Sequence, residues 1–264
     1  MLLCPYDNEE TIILYRSHNK YKKIDLKCTS EVHTKPTLYK CTKCSLVFSE
    51  YVHSKFEEGY SLVEDEKYIK QIPYKQKYFD LYFSKIKPFL SKDHKVLEIG
   101  SYYGILGNII KPHVKEYTGL ELSKHAAEYS KKNFGLNIVS EPLEKFFNEN
   151  IKFDTIIMND VIEHLDDPFQ SLNLIEKNLK SDGIFIFTTF NIDSIFPKIM
   201  RSNYHWIMPM HKFYFSNSTL KFFLEKNNMD LFKITTDTRL ISLEYLLEKL
   251  CILAPKIDFI FKFF

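Results

Sequence analysis

Glycine is scarce in this sequence, at 7 of 264 residues, and tryptophan occurs once. Each glycine is therefore expected to serve a tight turn or a close approach of the backbone. No apolar run comes near the ~20 residues that span a bilayer, and the first residues lack the charged start and apolar stretch of a secretory signal. These absences predict a cytoplasmic protein.

The chain also lacks an excess of charge of either sign, with 36 Lys and Arg against 34 Asp and Glu. This balance argues against a strong, sequence-wide attraction to nucleic acid, although it leaves room for a local basic patch. An apolar fraction of 45% is too high for a disordered chain. Five cysteines, with two in a C-x-x-C pair, favour reduced thiols or metal ligands over a disulfide framework.

Four segments follow one another without an internal repeat. Residues 1–55 contain short β-prone stretches punctuated by Cys and Pro, and predict a small N-terminal module. Residues 56–92 predict a helical linker or lid. Residues 93–236 predict the main ligand-binding domain, and residues 237–264 form an apolar tail.

Apolar runs alternate with helical patterns within the main domain, which predicts βαβ units and an α/β fold. The predicted strands are Lys95–Ile99, Glu116–Leu120, Asn137–Val139, Asp154–Met158, Ile184–Thr188 and, more weakly, Asp230–Thr235. Right-handed crossovers make such a mostly parallel sheet doubly wound, with helices on both faces. The ligand site is then expected at the carboxyl ends of the strands.

A glycine-bearing turn follows the first predicted strand, with Gly100, Gly104 and Gly107 spaced G-x-x-x-G-x-x-G. Gly100 and Gly104 would let the backbone turn tightly and approach a ligand, although they could also serve the turn alone. The spacing matches neither the G-x-G-x-x-G dinucleotide fingerprint nor a P-loop. Glu121 ends the second strand about 20 positions later, where a carboxylate can accept hydrogen bonds from both ribose hydroxyls of a nucleoside.

The combination of E-x-G-x-x-x-G at residues 98–104, the acid at 121 and F-D-x-I-x-x-x-D-V-I-E-H-L-x-D-P at residues 153–168 resembles the class I S-adenosylmethionine (SAM) dependent methyltransferases. The likeness covers roughly residues 90–236 and is closest to the branch with the ubiquinone-type and small-molecule O-methyltransferases. It implies a Rossmann-like fold, SAM as cofactor, and a small-molecule acceptor such as a sugar or a lipid-linked glycan intermediate. An RNA methyltransferase and a non-catalytic SAM-binding or zinc-bearing scaffold are the alternatives.

The resemblance also implies roles for individual residues. Glu98 would orient the amino group of SAM, and Glu121 would hold the ribose. The remaining predicted cofactor-binding residues are Gly100, Ser101 and Gly104 along the carboxypropyl chain, Leu122 beside the ribose, Glu144 (or else Glu141) at adenine N6, and Asn159 and Asp160 at the methyl-donor pocket. Members of the family often have G-C-G-x-G, whereas this loop has Tyr102 in place of a glycine. Tyr102 or Tyr103 could pack on the cofactor or in the core.

Two histidines are candidates for the base that accepts a proton from a hydroxyl acceptor, because the ordinary pKa of histidine lies near neutrality. His164 follows the fourth strand in E-H-L, where it could instead brace a loop. His211 lies in P-x-H-x-x-Y-F-S, a pattern found in the resembled branch where the chain closes over the acceptor. His211 is the favoured base, and Trp206 and Tyr204 could form an apolar wall or pack in the core.

The N-terminal segment resembles a degenerate zinc ribbon. Cys41 and Cys44 form one C-x-x-C knuckle, and Cys4-Pro5-Tyr6-Asp7 resembles a second one with Asp7 in place of a cysteine. Cys4, Asp7, Cys41 and Cys44 are therefore the predicted ligands of one zinc ion, with Cys28 or His33 as alternative fourth ligands. A ribbon that has lost its metal is the competing interpretation.

The C-terminal tail has amphipathic spacing over Leu240–Leu250 and ends in the aromatic stretch Phe259–Phe264. The resembled fold usually closes its sheet with a seventh strand, for which this stretch is the candidate. Core or dimer packing is the favoured use of the tail. A peripheral membrane contact is the alternative and would suit a lipid-linked acceptor.

Overall fold

The computed structural model describes residues 2–17, 24–29, 35–147 and 151–237. Its strands are β1 (Thr11–Tyr15), β2 (Leu38–Cys41), β3 (Val47–Ser49), β4 (Lys95–Ile99), β5 (Glu116–Leu120), β6 (Ile138–Val139), β7 (Phe153–Asn159), β8 (Leu179–Thr188) and β9 (Phe213–Tyr214). Its α-helices are α1 (Glu57–Ser61), α2 (Glu66–Lys70), α3 (Ile72–Ile86), α4 (Ile105–Ile110), α5 (Lys124–Phe134), α6 (Leu143–Phe146), α7 (Pro168–Asn178), α8 (Ile195–Met200) and α9 (Asn217–Lys226). The predicted tail helix and seventh strand lie outside the described residues.

The larger sheet has five strands in the order β6-β5-β4-β7-β8, and every neighbouring pair is parallel. The order reverses between β4 and β7, which is where a doubly wound sheet opens its ligand crevice. Ile99 lies beside Leu120 on one side and Met158 on the other, so the ends of β4, β5 and β7 meet at one edge. This arrangement confirms the predicted α/β class.

The weak sixth strand predicted at Asp230–Thr235 is wrong, because residues 230–237 form no regular element. The side chain of Phe232 is 85% exposed, and Ile234 is exposed too. Alternating apolar residues stabilise a strand only when a neighbouring strand and a covering layer bury one face. Among the described residues, no strand pairs with this stretch, and no layer covers Phe232 or Ile234.

The smaller sheet is antiparallel, in the order β1-β2-β3-β9. Its last strand comes from the segment predicted to belong to the main domain, because Val47 and Phe48 of β3 pair with Tyr214 and Phe213 of β9. The N-terminal strands are therefore hydrogen-bonded to the chain that follows His211.

Polar caps fix the helices that flank the predicted site. The Ser123 hydroxyl accepts the backbone N–H of Ala126 and begins α5, directly after Glu121. The Ser216 hydroxyl accepts the N–H of Thr219 and begins α9. None of the described helices is long and apolar enough to cross a membrane.

Candidate active site

The glycine loop joins β4 to α4 and is fastened to the end of β5. The backbone N–H groups of Gly100 and Ser101 donate to the Leu120 carbonyl at 2.8 and 3.1 Å. Gly100 and Gly104 have φ of +75° and +73°, the left-handed region that glycine adopts freely. A Cβ on Gly100 would lie 2.4 Å from Val161 Cγ2, so the packing of the protein itself requires glycine there.

Tyr102 has a φ of +45°, although it stands where the resembled family usually has glycine. A left-handed conformation costs a residue with a side chain about 1–2 kcal/mol. Its buried ring offsets this cost by packing edge-on against Tyr68, with centroids 4.6 Å apart, and against Tyr103 at the same distance. Both loop tyrosines therefore pack against protein side chains, as the core interpretation proposed.

Asp65 ties the segment before α2 to this loop. Its buried carboxylate accepts the Tyr102 hydroxyl at 3.1 Å, and its backbone N–H donates to the Tyr103 hydroxyl at 2.9 Å. Asp65 also lines a cavity of ≈ 460 Å³, together with Asp25, Lys27, Thr29, Glu64, Glu66 and Lys67. The sequence prediction missed Asp65. Its position as the N-cap of α2 gave a local signal, but no local pattern indicated its contacts with the glycine loop.

Glu121 lies between the glycine loop and α5, with its side chain only 2% exposed. Its carboxylate accepts the backbone N–H of Tyr102 at 2.7 Å and that of Ser123 at 2.6 Å. Burial raises its pKa to about 7, and the backbone hydrogen bonds oppose that rise. Each carboxylate oxygen has a second lone pair, so the group can still accept ribose hydroxyls where the sequence predicted.

Glu98 is buried near the end of β4, where the Tyr117 hydroxyl donates to its Oε2 at 2.5 Å. Burial raises its pKa to about 8, while the Tyr117 hydrogen bond opposes the rise and the charge of Glu121 adds to it. A bound ammonium group beside Glu98 would lower that pKa again. This behaviour fits the role that the resemblance implies, contact with the amino group of SAM.

Two buried polar atoms at the predicted cofactor site, Ser101 Oγ and Asn159 Nδ2, make no hydrogen bond within the part of the chain that the structure describes. A buried polar group without a partner is costly and calls for a ligand or water. Asp160 follows Asn159 with a φ of +53°, and its carboxylate accepts the Thr188 hydroxyl at 3.1 Å. These unpaired atoms and the two buried acids fit a polar nucleoside cofactor.

The predicted adenine contact lies on the short helix α6. Glu144 is half-buried there, whereas Glu141 forms an ion pair with Lys145 at 3.5 Å. Leu122 is half-buried beside Glu121. The pairing of Glu141 favours Glu144 as the acid that faces adenine.

The variant Glu98→Gln tests the raised pKa of Glu98, because a raised pKa makes the free energy of unfolding depend on pH. Because the folded-state pKa lies above its ordinary value of 4.5, the folded protein holds a proton that the unfolded chain releases. The stability from this group is therefore complete below about pH 4.5 and is lost as the pH rises through about 8. We expect the free energy of unfolding of the ligand-free protein to fall by on the order of 3 kcal/mol between about pH 5 and about pH 8.5 because of Glu98.

Urea unfolding at the two pH values should show that the free energy of unfolding falls distinctly less for Glu98→Gln than for wild type. Glu116→Gln, at an exposed position on the adjacent strand β5, is the matched control and should keep the wild-type fall. The interpretation is wrong if Glu98→Gln keeps it as well.

The acceptor side of the site is a pair of histidines that pack edge-to-face, with ring centroids 4.6 Å apart. His164 Nδ1 lies 3.0 Å from the Met210 carbonyl oxygen, and His211 Nδ1 lies 2.7 Å from that of Trp206. A carbonyl oxygen only accepts, so each Nδ1 carries the proton. Both predicted candidates are thus brought together in the tautomer that a base requires.

The two histidines differ in their surroundings. His211 is 3% exposed and lies between near-parallel rings of Phe190, at 5.1 Å, and Trp206, at 6.1 Å. Burial lowers the pKa of His164 to about 4, so this histidine is neutral at neutral pH and a weak base. Trp206 therefore packs beside His211, while Tyr204 packs against Phe190 with centroids 6.3 Å apart.

Glu163 is a buried carboxylate beside this pair, and the Thr189 hydroxyl donates to its Oε2 at 3.0 Å. One ligand atom each from Glu163, His164 and His211 lies within 4.8 Å of the others, an arrangement that could hold a cation. Sequence analysis did not single out Glu163 as a site residue, although it precedes His164 in the E-H-L motif. A second group of this kind comprises Cys4, Asp7, Cys41 and Cys44, the predicted zinc ligands.

The alternative zinc ligands do not join that second group. Cys28 lies beside Tyr102 of the glycine loop, and His33 is outside the described residues.

Comparison with known proteins places the fold in a family. Residues 73–234 match the family model described as a methyltransferase domain. A ubiquinone biosynthesis O-methyltransferase from Actinobacillus pleuropneumoniae is 28% identical over 107 residues, which cover 37% of this chain and 46% of that relative. The match thus spans less than half of the curated relative.

Two solved structures share the fold. A SAM-dependent methyltransferase from Archaeoglobus fulgidus has a TM-score of 0.52 at 20% identity, with 74% of this chain and 92% of that one covered. The Haloferax volcanii complex of the Trm112 methyltransferase activator with a methyltransferase gives a TM-score of 0.53 at 11% identity, covering 73% and 81%. The chain therefore belongs to the methyltransferase domain family, with SAM as its cofactor.

Proposed function

We propose that this protein transfers the methyl group of SAM to a hydroxyl group of a small molecule. The observation that supports this most directly is the pair of histidines at the carboxyl edge of the sheet, each with its Nδ1 hydrogen-bonded to a backbone carbonyl. The glycine loop and Glu121 follow β4 and β5 at the same edge. The residues predicted to bind SAM and the histidines that would accept the proton therefore lie at the same edge of the sheet.

SAM supplies, when bound, a methyl group that is already activated by its sulfonium sulfur. The chain then has to hold the acceptor in line with that methyl group and remove one proton from its hydroxyl oxygen. His211 Nε2 would take this proton as the oxygen forms its new bond to carbon. The Nδ1 hydrogen bond to the Trp206 carbonyl keeps the ring in place and stabilises the imidazolium that results.

His211 suits this role better than His164. His211 lies in the P-x-H-x-x-Y-F-S segment, which closes over the acceptor in the resembled branch, whereas His164 is a weak base at neutral pH. The near-parallel rings of Phe190 and Trp206 hold the His211 ring in one orientation. We therefore assign His164 to positioning His211, through the edge-to-face contact of the two rings.

The acceptor proposed from the sequence is a sugar or a lipid-linked glycan intermediate. The relative from A. pleuropneumoniae is named for a different small molecule, and its name supports a small hydroxylated acceptor without defining it. The balanced charge of the chain continues to argue against RNA. The non-catalytic scaffold remains the alternative, since the loop has Tyr102 in place of glycine and Glu121 is covered.

Calorimetric titration with SAM and with S-adenosylhomocysteine tests the cofactor site. Wild type should bind both ligands. Glu121→Gln should bind each on the order of 30-fold more weakly, because it loses charge-assisted hydrogen bonds to the ribose. Glu116→Gln, on the same strand but exposed at its other end, is the control and should bind as wild type does. Failure of wild type to bind either ligand would contradict the proposed function and favour the scaffold.

A further inference from the structure

The N-terminal cysteine group is formed by two turns that face each other at the end of the small sheet. Cys4 and Asp7 lie in the turn before β1, which the Asn8 N–H closes onto the Cys4 carbonyl at 2.9 Å. Cys41 ends β2, and Cys44 lies in the turn that leads to β3. Two distant pieces of sequence thus bring three thiols and one carboxylate together.

Two opposite edges of this group have the lengths of a metal tetrahedron, and all four ligand atoms lie within 4.8 Å of one another. Zinc bonds of about 2.3 Å to sulfur and about 2.0 Å to oxygen give edges of roughly 3.8 Å between two sulfurs and roughly 3.5 Å between sulfur and oxygen. Cys4 Sγ and Cys44 Sγ are 3.7 Å apart, and Cys41 Sγ lies 3.5 and 3.6 Å from the two Asp7 oxygens. A disulfide would instead bring two sulfurs to about 2.0 Å.

Backbone donors around the group suit ligands with negative charge. The N–H groups of Lys43 and Cys44 point at Cys41 Sγ from 3.3 and 3.4 Å, and the N–H of Glu9 points at Asp7 Oδ1 from 3.3 Å. Such contacts stabilise a thiolate or carboxylate and orient it toward a metal. Cys4 and Cys41 are buried, so the centre is shielded from solvent on one side.

From this geometry we infer that Cys4, Asp7, Cys41 and Cys44 bind one structural zinc ion in a closed, four-coordinate site. Three thiolates select a soft or borderline cation, and four protein ligands leave no open position for catalysis. The Asp7 carboxylate completes the set in place of a fourth thiolate. Zinc therefore acts on the fold and takes no part in methyl transfer.

The zinc ion would also hold the acceptor side in place. The strand β3 that follows Cys44 pairs with β9, and the Ser49 N–H donates to the Lys212 carbonyl at 2.8 Å. Lys212 adjoins His211 in sequence. The predicted SAM contacts belong to the other sheet, so loss of zinc should disturb the acceptor side and leave SAM binding intact.

Metal analysis by mass spectrometry, on full-length protein purified without chelator, tests the site. We expect one zinc per chain in wild type and in Cys28→Ser, whose exposed thiol lies outside the group. Cys44→Ser and Asp7→Ala should each lower the zinc affinity at least about 100-fold, whereas Asp7→Cys should retain the metal. Wild type without zinc, or equal loss in Cys28→Ser, would overturn the inference.

Cobalt substitution of wild type keeps the test decisive if the ligand variants fail to fold. Tetrahedral Co²⁺ with three thiolates should show intense thiolate-to-metal charge transfer and strong visible bands, and zinc should displace both. A weak octahedral spectrum would overturn the inference. SAM titration of the zinc-free protein separates this proposal from the proposed function, since SAM binding should persist there.

Discussion

Asp166→Ala is expected to lower the free energy of unfolding by about 3 kcal/mol, because it leaves a buried ammonium group without its carboxylate. The Lys212 side chain is 1% exposed, and its Nζ donates to Asp166 Oδ1. The ring of Phe56 lies 5.4 Å from the same Nζ and contributes a weaker attraction. Removal of Asp166 therefore forces Lys212 to rearrange or to stay buried with little compensation.

The variant Lys212→Met removes the ion pair without leaving an unpaired charge. Its stability therefore separates the free-energy cost of a buried, unpaired ammonium group from that of losing the ion pair. Methionine fills similar space without a charge, so this variant should lose much less stability than Asp166→Ala. Glu225→Ala is the control, since it breaks an exposed pair with Lys221 and should cost less than about 0.5 kcal/mol. Urea unfolding at neutral pH measures all three. An Asp166→Ala variant as stable as Glu225→Ala would show that Lys212 needs no partner.

This ion pair also explains why the acceptor side holds its shape. The backbone N–H of Lys212 donates to the Glu163 carbonyl at 2.8 Å, so the chain after His211 is fastened to the E-H-L motif. Asp166 belongs to the same stretch of chain as Glu163. The side-chain pair and the backbone bond together join two segments that are far apart in sequence.

The central strands of the main sheet could be predicted from sequence because they are buried on both faces. Buried parallel strands appear as continuous apolar runs, and β4 and β5 begin and end where those runs do. The strand β8 begins at Leu179, five residues before the predicted Ile184, because its first residues include exposed polar ones that make no apolar run. Polar strand ends and edge strands have no such pattern.

The residues of the candidate site also divide into those that the sequence could locate and those that it could not. The glycine loop, Glu121 and the histidines could be located because they follow apolar strands directly or lie in a family motif. Asp65 and Lys212 could not, because their roles come from contacts with Tyr102 and Asp166 across the fold. The pairing of β3 with β9 joins residues more than half the chain apart in sequence, such as Val47 and Tyr214, and no local periodicity encodes it.

His211→Ala is expected to lower the turnover number by about 100- to 1,000-fold while the affinity for SAM stays unchanged, because general-base catalysis contributes about this factor. The assay follows formation of S-adenosylhomocysteine with a hydroxylated sugar or lipid-linked glycan that wild type methylates. Added imidazole should restore part of the activity of the variant.

His164→Ala distinguishes the base from its neighbour. Since burial keeps His164 neutral, this variant should lose less turnover than His211→Ala. His53→Ala, at an exposed position, should behave as wild type does. Unchanged turnover in His211→Ala would refute the assignment of the base. If His211→Ala, His164→Ala and Glu163→Gln all lost activity equally, the two histidines and Glu163 would act as cation ligands, and activation of the acceptor by a metal would replace proton removal by His211.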